Sequence, residues 1–216
     1  MTDDPIQLAV EACAKTHHGL SRHLEGLTDD VARSPSLLPG WTVGHVITHL
    51  ARNADGLARM VGGAGRGEVA TMYPSIDARN ADIQSGAARP AAELVADVRE
   101  AGARLDAMFA EATPAAWDGS GMTVFGEISV REIPARRVHE VEVHRVDLGL
   151  GYTFSDWPAA LLRTELATKT SQWASRKPMG FADLPPAALA LAPADRLAWL
   201  LGRLEVEGLP HSDLNG

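Results

Sequence analysis

Three residues with metal-ligating side chains occur in two segments of the chain that are predicted to be helical. His49 lies in GHVITHL, whereas Glu140 and His144 lie much later, in HEVEVH. Residues four positions apart share one face of a helix, so Glu140 and His144 can bind one ion from the same side. Two imidazoles and one carboxylate leave the fourth position of a tetrahedral zinc open, as in catalytic zinc sites. The pattern predicts a catalytic metal site with His49 as the third protein ligand.

The spacing of these residues leaves other interpretations open. A glutamate four residues before a histidine often forms only a hydrogen-bonded pair on a helix surface. His45 lies one turn before His49, so it offers a rival metal site on one helix, or a fourth ligand that would close the site and favour a regulatory zinc-binding module. Non-haem iron oxygenases also use two histidines and one carboxylate. Four further histidines are interpreted as solvated: His17, His18, His23 and His211.

Four amphipathic segments are expected to position the three ligands. Apolar residues recur at helical intervals over residues 5–27 and again after Thr42, which is a predicted N-cap. Pro90 opens a third helix, and Ser129 with Glu132 forms a capping box at the start of a fourth. The second and fourth helices carry the ligands on faces that turn inward. The sequence therefore predicts a mainly α protein built on a four-helix bundle.

The connection between the second and third helices is predicted to be irregular. The segment from Thr71 to Ala88 is polar and contains Pro74, which indicates a loop with one helical turn near Arg79 and Asn80. From spacing alone, neither Arg79 nor Asn80 is assigned a chemical role.

The C-terminal part of the chain differs in composition from the bundle. A helix is predicted over about residues 158–175, followed by the proline- and alanine-rich PPAALALAPAD and a final helix around RLAWLLGR. We therefore expect a bundle domain over residues 1–152 and a small C-terminal lobe over residues 153–216. Arg203, near the end of the last helix, is typical of an arginine that interacts with the helix dipole.

The composition is that of an ordinary soluble globular protein. With 216 residues, 45% of them hydrophobic and 22% charged, the chain can bury a substantial core. A net charge of -8 and a pI of about 5.4 disfavour nucleic acid and anionic membranes as partners. The acidic amino terminus lacks the features of a signal peptide, so a cytoplasmic location is expected. Cys13 is the single cysteine, which excludes an internal disulfide and indicates that any thiol chemistry uses an external thiol.

Five stretches of the chain carry a family resemblance: GWTVGHVITHLARNADGL, TMYPSIDARNADI, REIPARRVHEVEVHRVDLGLGYTFSDWP, LLRTELATKTSQW and LAWLLGR. They resemble the mycothiol-dependent maleylpyruvate isomerases over nearly the whole chain. The resemblance implies a DinB-like four-helix bundle followed by a small C-terminal α/β lobe. It also implies that His49, Glu140 and His144 are zinc ligands and that Arg203 reaches the active site from the second lobe.

The resemblance further implies a reaction. A member of this family is expected to convert maleylpyruvate to fumarylpyruvate in gentisate-type aromatic degradation, with zinc and mycothiol as cofactors. Zinc favours the thiolate form of a bound thiol, which adds to the cis double bond, permits rotation and is then eliminated. Arg79 and Asn80 match a segment expected to bind the cofactor, and Arg79 and Arg203 are the expected partners of a dianionic substrate. The alternative is a mycothiol S-transferase that acts on another electrophile.

Overall fold

Four long helices form the core of the N-terminal part of the protein. The computed structural model describes residues 4–176, 183–212 and 214. The chain divides into two units, Met1–Leu150 and Gly151–Gly216, and each is described by itself. Within the described ranges, every helix falls short of the length or the apolar character that a membrane span requires.

The first unit is a four-helix bundle with three shorter helices around it. Its α-helices are, in chain order, α1 (Pro5–His23), α2 (Asp29–Arg33), α3 (Val43–Gly65), α4 (Ile76–Gly86), α5 (Ala91–Glu111), α6 (Pro114–Trp117) and α7 (Ile133–Asp147). Helix α1 packs against α5 and α7, and α3 packs against the same two helices. Each long helix therefore has two long neighbours, which confirms the predicted four-helix bundle.

Helix α3 lies between α5 and α7, and most of its residues are buried. Its apolar side chains, among them Val46, Leu50 and Leu57, join those of α1, α5 and α7 in one core. The predicted N-cap is present, because Thr42 Oγ1 accepts the backbone N–H of His45 at 3.3 Å. In return, His45 Nδ1 accepts the backbone N–H of Thr42 at 3.2 Å, which completes a capping box.

Helix α4 shows that the prediction of a loop from Thr71 to Ala88 is wrong. Pro74 lies before the helix, and the Ser75 side chain caps it by accepting the Ala78 N–H at 3.0 Å. Only Ile83 of this helix is buried, so α4 lacks the apolar stripe that sequence periodicity detects. Packing against α3 stabilises a helix that is too short to be stable in isolation.

Glycine residues allow α4 to approach α3 closely. A Cβ atom at Gly44 would collide with the carbonyl oxygen of Ala87, and one at Gly86 would lie 2.6 Å from Thr48 Cγ2. The end of α4 can therefore pack against the N-terminal half of α3, which is the half that carries the candidate ligand His49.

The start of α7 differs from the predicted capping box. The Ser129 side chain accepts the Arg131 N–H at 3.3 Å, but it caps a 3-10 turn over Val130–Glu132. The α-helix itself begins at Ile133, which places Pro134 within its first turn. Proline at that position removes no bond that the helix would otherwise make.

A small sheet also belongs to the first unit. Strands β1 (Ala70–Thr71), β2 (Ser120–Thr123) and β3 (Gly126–Ser129) lie in this order. Strand β1 pairs parallel with β2, and β2 and β3 form an antiparallel hairpin in which Gly121 is opposite Ile128. The segment MTVFGEISV, predicted to be extended, forms most of this hairpin.

The second unit is helical over its described residues. Its elements are a 3-10 turn at Phe154–Asp156 and helices α8 (Ala159–Ala174), α9 (Pro186–Ala190) and α10 (Pro193–Leu200). The mainly α fold class is confirmed. However, the α/β character expected for this lobe is not found among its described residues, since the strands β1, β2 and β3 belong to the first unit. Pro186 and Pro193 lie in the first turns of α9 and α10, where proline favours helix initiation and cannot donate to a sheet.

Candidate functional site

The three predicted ligand residues meet between α3 and α7. His49 comes from α3, whereas Glu140 and His144 come from successive turns of α7. The Nε2 atom of His49 lies 3.2 Å from Glu140 Oε2 and 3.1 Å from His144 Nε2. The distance from His144 Nε2 to Glu140 Oε2 is 3.7 Å. We call these three residues the ligand triad.

The geometry of the ligand triad fits a small divalent cation. Zinc binds nitrogen and oxygen at about 2.0–2.2 Å, and a tetrahedron with such bonds has edges of about 3.3–3.6 Å. The observed separations of 3.1, 3.2 and 3.7 Å lie close to this edge length. The Glu140 side chain is 33% exposed, so the site is open to solvent on its side and a fourth ligand can enter there.

Burial and mutual contact set the charges of the triad. Burial, opposed by Glu140 and assisted by His144 and Arg79, lowers the pKa of His49 from 6.5 to about 4. Burial by itself would raise the pKa of Glu140, but the hydrogen bond that the carboxylate accepts from His49, together with the influence of His144, holds that pKa well below its ordinary value. At neutral pH the triad thus contains a neutral His49 imidazole and an ionised carboxylate, which are the states that bind a metal.

Asp147 orients His144 within the site. Its Oδ2 accepts a hydrogen bond from His144 Nδ1 at 2.8 Å, and the Asp147 side chain is almost completely buried. Because Nδ1 carries the proton, the lone pair of His144 Nε2 faces the other two ligand atoms, as in metal sites with a carboxylate behind the histidine. Asp147 is not among the residues predicted from the sequence, although the spacing in HRVD places it one turn from His144 on α7.

Helix α4 places Arg79 beside the ligand triad. Arg79 Nη2 lies 3.1 Å from His49 Nδ1, and its Nη1 donates to Asn80 Oδ1 at 3.0 Å. A guanidinium only donates, so the contact with His49 requires the imidazole proton to be on Nε2. A metal ion on Nε2 would require that proton on Nδ1 instead. Arg79 must therefore leave this contact when His49 binds a metal.

His45 belongs to the end of α3 rather than to the ligand triad. Its Nδ1 accepts from the backbone of Thr42, and its Nε2 lies 3.4 Å from Gln84 Oε1. Both ring nitrogens of His45 are engaged away from the triad. This weakens the two interpretations that use His45 as a ligand, namely a rival site on one helix and a site closed by a fourth protein ligand.

Trp41 packs edge-to-face against His49, with 5.8 Å between ring centroids, and this contact restrains the plane of the imidazole.

Arg203 lies in the second unit, just after α10. Its Nη1 donates to the carbonyl oxygen of Leu201 at 2.9 Å, and Leu201 is the C-cap of that helix. This contact is the one expected of an arginine at a helix C-terminus. The catalytic role that the family resemblance implies for Arg203 stays a prediction.

Comparison with known proteins relates the chain to one family. Residues 13–149, which include the ligand triad, match the family model described as the mycothiol maleylpyruvate isomerase N-terminal domain. The crystal structure of the mycothiol-dependent maleylpyruvate isomerase is 28% identical with a TM-score of 0.82, covering 98% of this chain and 92% of that chain. A structure of its histidine-to-alanine mutant is also 28% identical, with a TM-score of 0.81 and coverage of 93% and 90%. A search of curated proteins finds no match.

Proposed function

The chain belongs to the mycothiol maleylpyruvate isomerase family, and on that premise we propose that it is a zinc- and mycothiol-dependent cis–trans isomerase that converts maleylpyruvate to fumarylpyruvate. The observation that carries this proposal is the meeting of His49, Glu140 and His144 within the part of the chain that matches the family. Their separations and protonation states suit zinc, and one side of the site is open to solvent.

The residues of the ligand triad would hold the zinc ion in different ways. Zinc, when bound with an open position, favours the thiolate form of a coordinated thiol at neutral pH. The lowered pKa of His49 keeps its imidazole neutral, so metal binding requires no net loss of a proton from it, only the transfer of its one proton from Nε2 to Nδ1. Glu140 supplies one negative charge against the two positive charges of the ion. Asp147 keeps the proton of His144 on Nδ1, so that Nε2 is available as a ligand.

The proposed reaction needs a nucleophile and positive charge close to the substrate. Bound mycothiol would supply the nucleophilic thiolate; reversible addition of a thiolate to the conjugated cis double bond would permit rotation about the resulting single bond, and its loss would give the trans isomer. Negative charge develops on the substrate carbonyl during the addition, and a basic side chain of this protein must stabilise it.

Arg79 is placed to supply such a charge. It lies next to His49, and it loses this contact when the Nδ1 atom of His49 carries a proton. The released guanidinium then offers two parallel N–H groups to a carboxylate of the substrate. Asn80, which is exposed and hydrogen-bonded to Arg79, adds a polar group for the thiol cofactor. In a chain of net charge -8, local positive charge at Arg79 also attracts a dianionic substrate.

Arg203 is proposed as the second basic residue of the reaction. The family resemblance supports this role and a contribution of residues 153–216 to the active site. The bond from Arg203 to the Leu201 carbonyl anchors one end of the guanidinium to α10, and an anchored guanidinium is better preorganised to stabilise charge than a mobile one.

The proposal is tested by incubating purified protein of known zinc content with maleylpyruvate, with and without mycothiol. We expect fumarylpyruvate to form only when the thiol is present, and the mycothiol to be regenerated. Consumption of mycothiol without formation of the trans isomer would identify an S-transferase instead. His49→Ala should lose zinc and turnover. His45→Ala is the matched control, because it removes a histidine one turn earlier on α3 and should keep both.

A further inference from the structure

A buried arginine lies one helical turn from the ligand triad. Arg137 precedes Glu140 by three residues on α7, and its side chain is completely buried. Its Nε donates to His17 Nε2 at 3.0 Å, and its Nη1 donates to Asn53 Oδ1 at 2.9 Å. Burying a charge is unfavourable unless it is paired, so the partners of Arg137 need an explanation.

The direct partners of Arg137 come from α1 and α3, and His17 extends the contacts to α5. His17 on α1 donates from Nδ1 to both carboxylate oxygens of Asp106 on α5, at 3.0 and 3.1 Å. A carboxylate only accepts and a guanidinium only donates, so His17 is neutral with its proton on Nδ1. Asn53 lies on α3. We call these four residues the arginine network. His17 is buried within it, which shows that the prediction of a solvated His17 is wrong.

The bond between Arg137 and Asn53 links the two helices that carry the ligand triad. Asn53 follows His49 by four residues on α3, just as Arg137 precedes Glu140 by three on α7. Each pair shares one face of its helix, so this bond crosses between α3 and α7 one turn from the place where His49 meets Glu140. It is therefore a direct hydrogen bond between α3 and α7 next to the ligand triad.

The arginine network also touches Cys13, but its contacts argue against a second reactive or metal site. Cys13 Sγ lies 3.9 Å from His17 Nε2, and Asp106 completes a Cys-His-Asp arrangement. However, His17 Nε2 already accepts a hydrogen bond from Arg137, so it is not available as a base or a metal ligand. Burial raises the pKa of Cys13 to about 12, which keeps the thiol protonated. The guanidinium beside it would also repel a cation.

Stability alone does not account for the arginine network. Within the described residues, the buried Arg137 Nη2 has no hydrogen-bond partner, and an unpaired buried donor is unfavourable. Apolar side chains of similar volume often stabilise such a position better than a buried charge does. The network does provide a hydrogen bond of fixed direction between α7 and α3, from Arg137 to Asn53, at one level of the bundle.

We propose that Arg137 is a positioning residue that sets the distance between α3 and α7, with Asn53 as its partner, and thereby the geometry of the ligand triad. The proposal rests on the proposed metal-dependent function. Arg137 acts through the helices and contacts neither the metal nor the substrate. Its removal should therefore weaken and distort metal binding in a protein that still folds.

The test compares Arg137→Met with Arg136→Met in the full-length protein. Arg136 is the next residue along α7, but it is exposed and pairs with Glu132 on the surface, so its replacement removes the same charge without touching the network. The measurements are the zinc dissociation constant, the visible absorption of the Co²⁺-substituted protein and the melting temperature without metal. We expect Arg137→Met to weaken zinc binding about ten- to a hundredfold and to change the Co²⁺ spectrum. Arg136→Met should match the wild type.

The other variants and outcomes keep the two proposals separate. Arg137→Lys should recover little, because an ammonium cannot reproduce two bonds along fixed directions. Wild-type zinc affinity and Co²⁺ spectrum in Arg137→Met would overturn the positioning role, even with a lower melting temperature. If Arg137→Met does not fold, Asn53→Ala decides: about tenfold weaker zinc binding supports the role, and unchanged binding overturns it. A wild-type protein that takes up no zinc would overturn the proposed function and the positioning role with it.

Discussion

The ligand triad and the Arg137–Asn53 bond of the arginine network lie one turn apart between α3 and α7, yet the polar atoms of the two regions are arranged in opposite ways. In the triad, three ligand atoms converge within 3.7 Å of one another and share at most one proton. In the network, donors face acceptors, since Arg137 donates to His17 and to Asn53. Acceptors whose lone pairs converge on one point can bind a cation, whereas donors that face acceptors satisfy one another by hydrogen bonding.

Exposure to solvent does not separate the two regions. The Glu140 side chain in the triad is 33% exposed, and the Asp106 side chain at the edge of the network is 32% exposed, although Arg137 itself is completely buried. The direction of the lone pairs does separate them, because acceptors converge on one point in the triad and each acceptor faces a donor in the network. Polar residues in one bundle can therefore serve two purposes, a binding site and a structural link.

Removing a member of the ligand triad should have the largest effect. Glu140→Gln keeps the shape of the side chain but removes the charge that the cation requires. We expect zinc to be lost and isomerase turnover to fall on the order of a thousandfold or more, measured by metal analysis and product formation. Glu132→Gln, which changes an exposed glutamate paired with Arg136, is the control and should behave as wild type. Full zinc occupancy in Glu140→Gln would contradict the assignment of the triad.

Arg203→Ala tests whether the ligand triad supports full isomerase turnover without this residue of the second unit. If Arg203 stabilises charge in the reaction, turnover should fall about a hundred- to a thousandfold, or about 3–4 kcal/mol, with zinc content unchanged. Arg203→Lys should recover little, because lysine lacks the planar fork. If Arg203 serves only the helix C-terminus, stability should fall by about 0.3–1 kcal/mol, lysine should rescue it and catalysis should be normal. Kinetics and melting curves of both variants separate these roles.

Acidification should destabilise the metal-free protein through both regions. The pKa of His49 is lowered to about 4, against about 6.5 in an unfolded chain. Between these values the unfolded chain binds more protons, so the free energy of unfolding should fall as the pH falls from 6.5 to 4, by roughly 3 kcal/mol for His49. His17, whose pKa burial also lowers, contributes in the same direction.

Urea unfolding at pH 7 and pH 4.5 measures this loss of stability. Glu140 should add a further loss below about pH 4.5, because its pKa is lower in the folded protein than in the unfolded chain. In His49→Gln, the part of the stability loss between pH 7 and pH 4.5 that comes from His49 should disappear, and the part that comes from His17 in the network should remain. An unchanged pH dependence in His49→Gln would show that His49 is not held neutral by its burial.

Asp147→Asn tests the orientation of one triad member without removing a ligand. An amide oxygen accepts from His144 Nδ1 more weakly than a carboxylate does, and the amide N–H₂ group can turn toward Nδ1 and favour the other tautomer, so zinc affinity should fall about ten- to a hundredfold. Competition with a chromophoric chelator measures the loss. Asp118→Asn is the control, because Asp118 is exposed and pairs only on the surface with Arg131. Equal affinities in the two variants would remove Asp147 from the site.

Cys13→Ser should have the smallest effect on catalysis. Cys13 is fully buried beside the arginine network, and its raised pKa keeps it unreactive. We expect nearly normal turnover and a loss of about 1–3 kcal/mol in stability from burying a hydroxyl. Omission of mycothiol should abolish turnover in both proteins. Lost turnover with unchanged folding and zinc content would instead identify Cys13 as the nucleophile.

The helical spacing of apolar residues was sufficient to predict the four long helices, but it could not predict α4, in which apolar residues do not recur at helical intervals. The apolar spacing of the long segments predicted the four-helix bundle. Helix α4 was missed because its buried surface is confined to Ile83, and its formation depends on packing against α3. The position of Arg79 beside His49 was consequently not predictable from the polar sequence around it.

The sequence by itself determined which residues share a helix face. Glu140, His144 and Arg137 share one face of α7, and His49 and Asn53 share one face of α3, because the period of a helix is set by hydrogen bonds over a few residues. Only the tertiary structure decided that these faces meet at the same level. That register depends on how side chains from four distant segments pack together, which local periodicity does not specify.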